Sequence, residues 1–386
     1  MDPFRTLVKR LKREWNGTTP TLDSFPDRAT RLLTDFEYDF TKEQLDQHLA
    51  RWLVQSPELP EQVSLHNTFG QPPITLFNNG RVVVDIYLWL TCDTSIHSHG
   101  FRGAFRVLHG KSLHEAFQVR VSRRIAPGVM EFDPGIPQMA LLEPGDVRRI
   151  LPGEKLTHRV IHLENPTVTL CVKTINEPGL YQWEYFNCGV AVQKRDLTPD
   201  LIKKIYYFQY LLGQDAALAR RFFEKLLGAL SVVMRMTLYE ALCGGAFDLS
   251  EEAVEEGLAQ IRNLYGKETW FNRYEFPAPA YLKDLHFSGC DSSLQRLVAH
   301  CINGDCDRVT VTPHLSRLAG RELSKGDIQS LVTSLMDFEP IFGCELSERD
   351  RATIRDLIGH PNRKIPRHLQ PFGQIQRMRE FIRMFG

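Results

Sequence analysis

The segment Ser95-Ile96-His97-Ser98-His99-Gly100-Phe101 places two histidines two residues apart, and Pro152-Gly153-Glu154-Lys155-Leu156-Thr157-His158 supplies a third about sixty residues later. Successive side chains of a β-strand point to opposite faces, so His97 and His99 share a face if their segment is extended. A histidine on a neighbouring strand would complete a set of three nitrogen ligands and leave further positions on a metal ion open. The two segments therefore predict a metal site on strands, with room for a substrate.

Turns and alternating segments around these histidines predict an all-β unit. Asn79-Gly80 is a typical hairpin turn, and residues 81–90 after it are rich in β-branched side chains and alternate with a period of two. Short strands at near-regular spacing are typical of a β-sandwich or barrel. Strand-like segments recur between breakers that contain glycine or proline, at residues 105–108, 115–121, 138–142, 147–151, 159–163 and 168–174.

Helical patterns flank the predicted strands on both sides. Residues 4–15 form a basic amphipathic pattern, whose apolar stripe favours docking onto the body of the protein over a membrane-surface role. Thr41 begins a capping box with Gln44, and Thr198-Pro199 is a typical helix start. The predicted class is therefore α+β, with a helical segment at 1–65, a metal-binding barrel at 66–195 and an all-α domain at 196–386.

Charge and cysteine usage narrow the class of protein. Lys+Arg and Asp+Glu both number 47 in the 386 residues, so no global field favours nucleic acid or an anionic membrane. The 8 cysteines form no CxxC pair, which predicts reduced thiols in a cytoplasmic protein. The most apolar segment, residues 226–247, is interrupted by Arg235 and Glu240 and predicts a buried helix instead of a membrane span.

The histidine segments and their surroundings resemble the two motifs of the cupins, a family of double Greek-key jelly rolls, and within it the cysteine dioxygenase branch of thiol dioxygenases. In the first motif His97-Ser98-His99 is closed by Gly110, and no carboxylate stands where many cupins have a glutamate, which marks the three-histidine subgroup. Residues 142–147 and 152–160 resemble the second motif. The resemblance implies Fe(II) as cofactor, with His97, His99 and His158 as ligands.

Several departures from cysteine dioxygenases concern the substrate. Ala104 stands where the animal enzymes carry a cross-linked cysteine, and Gln71-Pro72-Pro73 stands where they carry a carboxylate-binding arginine. The family's histidine near Cys171 and its tyrosine near Lys173 are also missing. The resemblance thus implies O2-dependent oxidation of a small iron-chelating molecule, thiol- or amino-acid-like, that is not free cysteine.

Further site residues follow from the strand faces and from the resemblance. The family often has asparagine four residues after its third histidine, and this chain has His162 there, as an outer partner or an alternative ligand. Tyr87 and His162 are expected to hydrogen-bond bound oxygen or substrate. His109 and His114 flank Gly110 and are expected on the solvent side. The residues expected to bind substrate, with Arg81 pairing with an anionic group, are Arg81, Asp85, Trp89, Phe105 and Cys171.

Two other functions are compatible with the same metal pattern. A non-catalytic ligand sensor would use the helical domain for signalling, and residues 351–386 do carry eight basic and two acidic residues. No helix-turn-helix pattern accompanies them, so nucleic acid is not an expected partner. A metal-dependent isomerase or lyase would instead use zinc or nickel as a Lewis acid.

The helical domain carries a second group of potential metal ligands, and its role has two alternatives. The domain is expected either to close the barrel mouth over the small-molecule substrate or to form a homodimer. The spacing of the potential ligands matches no standard zinc module, which favours core thiols. These residues are His286, Cys290, His300, Cys301 and Cys306.

Overall fold

The computed structural model describes helices at both ends of the chain and strands between them. The described residues are 3–15, 22–37, 41–56, 58–63, 73–90, 94–175, 177–186, 188–274, 290, 292–304, 306–337, 346–360, 363–370 and 373–385.

Three helices precede the strands: α1 (Pro3–Glu14), α2 (Phe25–Thr34) and α3 (Lys42–Gln55). The apolar stripe of α1 is buried, with Phe4 and Leu11 fully covered, and it shares one hydrophobic cluster with α2, α3 and the first strands. The predicted docking of this helix onto the body of the protein is therefore confirmed. The predicted capping box at the start of α3 is also present.

Thirteen strands follow within the described residues, and they form two antiparallel sheets. Their bounds are β1 (Ile74–Asn78), β2 (Val82–Trp89), β3 (Ile96–Ser98), β4 (Gly103–His109), β5 (Ser112–Phe117), β6 (Arg120–Ala126), β7 (Val129–Asp133), β8 (Gln138–Leu142), β9 (Val147–Ile150), β10 (Thr157–His162), β11 (Thr167–Thr174), β12 (Trp183–Phe186) and β13 (Val190–Gln193).

The order of the strands defines the barrel. One sheet runs β1-β2-β11-β4-β9, and the other runs β6-β7-β13-β12-β3-β10-β5-β8. The core of one sheet is β2-β11-β4-β9 and that of the other is β3-β10-β5-β8, which is the strand order of a double Greek-key jelly roll. The predicted fold class, a cupin-type jelly roll with helices on both sides in sequence, is thus confirmed.

The hairpin of β1 and β2 sets the side chains that face the barrel interior. The turn is closed by the N–H of Asn79, which donates to the carbonyl of Val82, and Gly80 adopts a φ of 81° that favours glycine. In the next ladder, Asp85 of β2 is opposite Cys171 of β11. Every second residue of these two strands therefore faces the same cavity.

Ten helices follow the strands in the described part of the chain, and serine or threonine caps the predicted helix starts at Thr198, Ser250, Ser324 and Ser347. Their bounds are α4 (Pro199–Leu212), α5 (Ala216–Ala229), α6 (Val232–Cys243), α7 (Glu251–Tyr265), α8 (Thr269–Tyr274), α9 (Ser293–Asn303), α10 (Arg308–Ala319), α11 (Lys325–Ser334), α12 (Glu348–Gly359) and α13 (Gly373–Arg383).

These helices form two separate hydrophobic clusters on the larger sheet. Helices α4 to α8 pack with Val129 of β7 and with Val190 and Val192 of β13. Helices α9 to α13 pack with residues of β5, β8 and β10, such as Leu113 and Ile161. The second cluster therefore covers the outer face of the strands that carry the histidines. The predicted boundaries after residues 65 and 195 stay predictions.

The apolar segment at residues 226–247 is divided between two helices. Helix α5 ends at Ala229, and α6 begins at Val232 with Ser231 as its N-cap. Among the described residues no helix is long and apolar enough to cross a membrane.

Candidate metal centre

Three buried imidazoles converge where β3 and β10 pair. His97 lies opposite His158 in this ladder, and His99 follows directly after β3. The carbonyl of His99 accepts a hydrogen bond from the N–H of Gly153 at 2.9 Å, which holds the two histidine segments together. One ring nitrogen of each histidine lies within 4.8 Å of the others. The sequence pattern therefore does bring its three predicted ligands to one place.

The spacing of the ring nitrogens fits a shared metal ion. His99 Nε2 and His158 Nε2 are 2.8 Å apart. Two imidazole nitrogens bound to one ion at about 2.1 Å are separated by a similar distance. The three donors thus form a set of the kind that holds a divalent transition metal, with positions left for other ligands.

Hydrogen bonds on the far side of two rings select the nitrogen that can bind a metal. His97 Nδ1 donates to the carbonyl of Ser95 at 2.7 Å, so its Nε2 is the metal-binding nitrogen. His158 Nδ1 lies 2.9 Å from His114 Nε2, which likewise leaves His158 Nε2 for the metal. Such outer partners orient metal ligands and tune their basicity.

The position of His114 corrects the expectation that it lies on the solvent side. The residue is 7% exposed and lies on β5, which is flanked by β10 and β8 in the larger sheet. Its ring therefore points inward towards His158, not into solvent. Burial, together with the cation Arg148, lowers the pKa of His114 to about 4.

Burial also sets the charge state of the three candidate ligands. It lowers the pKa of His97, and burial together with the neighbouring His97 ring holds the pKa of His99 and His158 well below the usual range. The rings are accordingly neutral at neutral pH. A neutral imidazole is the form that binds a metal, so metal binding at neutral pH does not have to displace a proton from these rings.

The three histidines line a cavity of about 70 Å³ inside the barrel. This is enough for several water molecules or one small ligand. Apart from the histidines, the walls are mainly aromatic and aliphatic, so the lining is largely apolar. The other lining residues are Tyr87, Trp89, Thr94, Phe101, Phe105, Ile150, Val160, His162, Thr169 and Cys171.

Three of the five residues expected to bind substrate lie in the cavity wall, and two, Arg81 and Asp85, do not. Trp89 lines the cavity, with its Nε1–H bonded to Thr169 Oγ1 at 2.9 Å, as do Phe105 and Cys171. Burial raises the pKa of Cys171 to about 12, so its thiol is neutral. Arg81 is exposed at the turn before β2 and is not among the lining residues, because the strand begins only at Val82. This differs from the predicted pairing of Arg81 with a substrate anion.

His162 lies in the cavity wall beside the three candidate ligands but is not one of them. Its Nδ1 is 3.0 Å from Ser112 Oγ, and its ring stacks on Trp89 with centroids 4.4 Å apart. Burial lowers its pKa to about 3. Its role as an outer partner or as an alternative ligand stays a prediction.

A buried lysine next to Tyr87 was not found from the sequence. Lys173 Nζ donates to the Tyr87 hydroxyl at 2.6 Å and pairs with Asp85 Oδ2 at 2.8 Å. Asp85 Oδ1 in turn accepts from Thr75 Oγ1 at 2.8 Å, so Asp85 lies behind the cavity wall. The sequence signal was that Lys173 stands two residues after Cys171 on one strand and therefore shares its face.

A second polar cluster lies on the outer face of the same strands, against α9. Glu115, His300 and Cys306 bring potential ligand atoms within 4.8 Å of one another. The guanidinium of Arg159 occupies this cluster and hydrogen-bonds to the Glu115 carboxylate, which favours an ion pair over a metal. In the predicted thiol group, Cys290 and Cys301 are buried in the apolar core of α9 to α13, and His286 lies outside the described residues.

Neither a protein-family model nor a curated protein matches this chain. Parts of solved structures are similar to it. A cupin-superfamily sugar phosphate isomerase from Silicibacter pomeroyi is 15% identical over 33% of this chain and 80% of that chain, with a TM-score of 0.23. A hydroquinone 1,2-dioxygenase from Sphingomonas is 11% identical over 27% and 66%, with a TM-score of 0.21. A DMSP lyase from Ruegeria pomeroyi is 15% identical over 47% and 94%, with a TM-score of 0.26.

These TM-scores are too low to support any conclusion about activity. The class of the molecule follows from its own strand order and side chains: it is a jelly-roll protein with a buried three-histidine candidate metal site and a small cavity beside it.

Proposed function

We propose that the barrel is an Fe(II)-dependent oxygenase that oxidises a small chelating substrate with O2. The observation that carries this proposal is the set of three buried, neutral histidines in the wall of a largely apolar cavity. A divalent iron on three neutral imidazoles keeps its full charge, favours an anionic chelating substrate and has positions for O2 beside it. His97, His99 and His158 would hold the ion.

The remaining cavity residues would select and orient the substrate. Trp89 and Phe105 form apolar walls that fit a small molecule. Tyr87 and His162 are the polar groups placed to hydrogen-bond bound oxygen or substrate. The exposed position of Arg81 removes it from this set. A thiol- or amino-acid-like molecule other than free cysteine is the proposed substrate class.

Metal analysis of protein purified without chelators tests the metal site. We expect about one iron per chain in the wild type, and its loss in His97→Ala and in His158→Ala. His109→Ala is the matched control, because His109 lies on β4 outside the cavity wall and should leave the iron content unchanged. No bound metal after iron reconstitution would contradict the proposal and favour a ligand sensor.

Oxygen uptake then tests the reaction. The iron-loaded protein is mixed with small thiols and small amino-acid-like chelators, and a substrate should cause O2 consumption that the His158→Ala variant lacks. Absence of uptake with every chelator that perturbs the iron spectrum would count against an oxygenase.

A non-oxidative isomerase or lyase is a second candidate, favoured by one observation. The Tyr87 hydroxyl in the cavity wall is bonded to the ammonium of Lys173, whose charge partly offsets the burial that raises the pKa of this candidate proton donor. Oxidation by O2 does not by itself require such a pair. Stoichiometric zinc or nickel, with turnover under anaerobic conditions, would support this candidate and contradict the first.

A further inference from the structure

We infer that exposed tyrosines of the C-terminal helices form an interface through which two copies of this chain associate about a two-fold axis. The inference goes beyond the proposed function and does not depend on the metal centre. It gives the homodimer alternative for the helical domain a defined surface, the tyrosine face, which consists of Tyr206, Tyr207 and Tyr210 of α4 and Leu218 of α5.

The tyrosine face exposes several large apolar side chains at one place. Tyr206, Tyr207 and Tyr210 are 41, 50 and 60% exposed, and Leu218 is 43% exposed. The Tyr207 ring stacks on Tyr210 with centroids 5.9 Å apart and meets the Phe222 ring in a T-shaped contact at 5.4 Å. These contacts hold the rings in place in the single chain, so their burial against a partner costs little side-chain entropy. Tyrosine is also enriched at the centres of protein interfaces.

Acidic residues lie on one side of the tyrosine face. The N–H of Asp248 donates to the Tyr206 hydroxyl at 3.3 Å, and the N–H of Ser250, the N-cap of α7, donates to a glutamine of α4. Glu251 and Glu252 follow directly in the first turn of α7 and are exposed. None of the three carboxylates pairs with a cation in the part of the chain that the structure describes. This side of the face therefore carries uncompensated negative charge.

Basic residues lie on the opposite side of the tyrosine face, on α5. The contact of Tyr207 with Phe222 brings this helix against α4. Arg221 and Lys225 are four residues apart and share an exposed side of α5 with Leu218. Neither cation has a carboxylate partner among the described residues. This side of the face therefore carries uncompensated positive charge.

Opposite charges on its two sides make the tyrosine face complementary to itself. Tyr206 contacts the acidic side and Tyr207 contacts the basic side. Tyr210 lies between them, because it is four residues after the first and three after the second along α4. In a two-fold interface a surface meets its own copy after a rotation of half a turn. An axis through Tyr210 would place the carboxylates of one copy against the cations of the other.

A second copy fits both sides of the tyrosine face, whereas other partners fit only one. A nucleic acid or an anionic membrane would be attracted by Arg221 and Lys225 but repelled by Glu251 and Glu252. An acidic peptide would likewise be bound by the basic side alone. The arrangement of charges therefore favours another copy of this chain as the partner.

Sedimentation velocity of the full chain at low ionic strength tests the inference. Between about 1 and about 100 µM, we expect the mass to rise to twice the 44.4 kDa of the single chain. Tyr210→Ser removes the most exposed of the three rings and should raise the dissociation constant of the dimer at least about tenfold. The control is Ile136→Ser, which removes an apolar side chain that is 71% exposed between β7 and β8 and should leave the constant unchanged.

Charge reversal tests the two-fold arrangement. Glu251→Lys with Glu252→Lys places cations against cations across the axis, and Arg221→Glu with Lys225→Glu places carboxylates against carboxylates. Each double variant should be monomeric under conditions in which the wild type dimerises. An equal mixture of the two should form a heterodimer, because each contact then joins opposite charges. Glu348→Lys, at the first position of α12, is the matched control and should dimerise like the wild type.

Recovery in the mixture separates a lost contact from a lost fold, because two misfolded variants would not restore each other. A wild type that stays monomeric over the whole concentration range would overturn the inference, as would a dimer that Tyr210→Ser and both charge reversals leave unchanged. A monomer that binds poly-glutamate through Arg221 and Lys225 would also overturn it, in favour of an acidic partner. None of these outcomes concerns the iron content, so failure of the interface is distinct from failure of the proposed function.

Discussion

Glu115 of the barrel and His300 of α9 are hydrogen-bonded across the junction with the C-terminal helices, with His300 Nε2 3.2 Å from Glu115 Oε1. Glu115 is fully buried, and its second oxygen accepts from Arg159. Arg159 directly follows the candidate ligand His158, and Glu115 directly follows His114, the outer partner of that ligand. The contact that fixes the helices on the barrel is thus built on the outer face of the strands that carry the metal centre on their inner face.

The first prediction concerns this contact and stability. Glu115→Gln leaves Arg159 charged and mostly buried without its carboxylate, and we expect a loss of about 3 kcal/mol in the free energy of unfolding. Urea unfolding of the metal-free protein measures it. The matched control is Glu154→Gln, which removes the exposed pair with Arg124 and should cost less than about 1 kcal/mol. Equal losses in the two variants would mean that the buried contact contributes no more to stability than the exposed ion pair.

The second prediction concerns the outer partner of a metal ligand. His114→Ala removes the group that holds His158 Nδ1 at 2.9 Å, and we expect the affinity for the metal to fall by about tenfold to a hundredfold. Competition with a chromophoric chelator measures the affinity. His109→Ala, five residues earlier at the end of β4 in the other sheet, should leave the affinity unchanged. An unchanged affinity in His114→Ala would show that the hydrogen bond does not orient the ligand.

Period-two spacing paired His97 and His99, which share one strand face whatever the order of the strands, and the resemblance to the second motif added His158. The place of His114 beside the Gly110 turn gave the wrong expectation, because its exposure depends on the neighbours of β5: β10 and β8 on its edges, and α9 to α13 over its outer face. Strand order and helix docking depend on contacts between distant parts of the chain, which the spacing of residues within one segment does not reveal. Lys173 was missed for a related reason, because β11 is buried on both faces and its apolar run hides the alternation.

The strand faces of β2 were predicted more successfully than the ends of the strand. Alternation placed Asp85, Tyr87 and Trp89 on one face; Tyr87 and Trp89 line the cavity, and Asp85 is bonded to Thr75 behind its wall. The same alternation included Arg81, but the hairpin turn ends there and the strand begins one residue later. A strand boundary depends on the ladder hydrogen bonds of both partners, which a single segment does not reveal.

The third prediction is a loss of stability in acid that begins near the ordinary histidine pKa. Burial lowers the pKa of five histidines of the barrel interior below the usual 6.5, to about 4 for His114 and about 3 for His162. The unfolded chain therefore binds more protons than the folded one between those values, so the metal-free protein loses stability as pH falls below 6.5. Each such histidine contributes up to about 1.4 kcal/mol per pH unit. The five residues are His97, His99, His114, His158 and His162.

Urea unfolding between pH 7.5 and pH 5 checks this linkage. His162→Gln removes one titrating group and keeps a polar side chain near Ser112. Unfolding of this variant in acid should therefore take up about one proton fewer than unfolding of the wild type, which makes its stability less dependent on pH. A pH dependence that is identical in the variant and the wild type would mean that His162 is protonated as readily in the folded chain as in the unfolded one.

The fourth prediction concerns the thiol in the cavity wall. Because burial raises the pKa of Cys171 to about 12, the group is protonated at neutral pH and is a poor nucleophile. Iodoacetamide at pH 7.5 should therefore modify the exposed Cys243 well before Cys171, and mass spectrometry of the peptides measures the order. Cys171→Ala should also keep the full metal content, because the three imidazoles bind without a thiolate. Loss of metal in this variant would instead add a sulfur ligand to the three nitrogens.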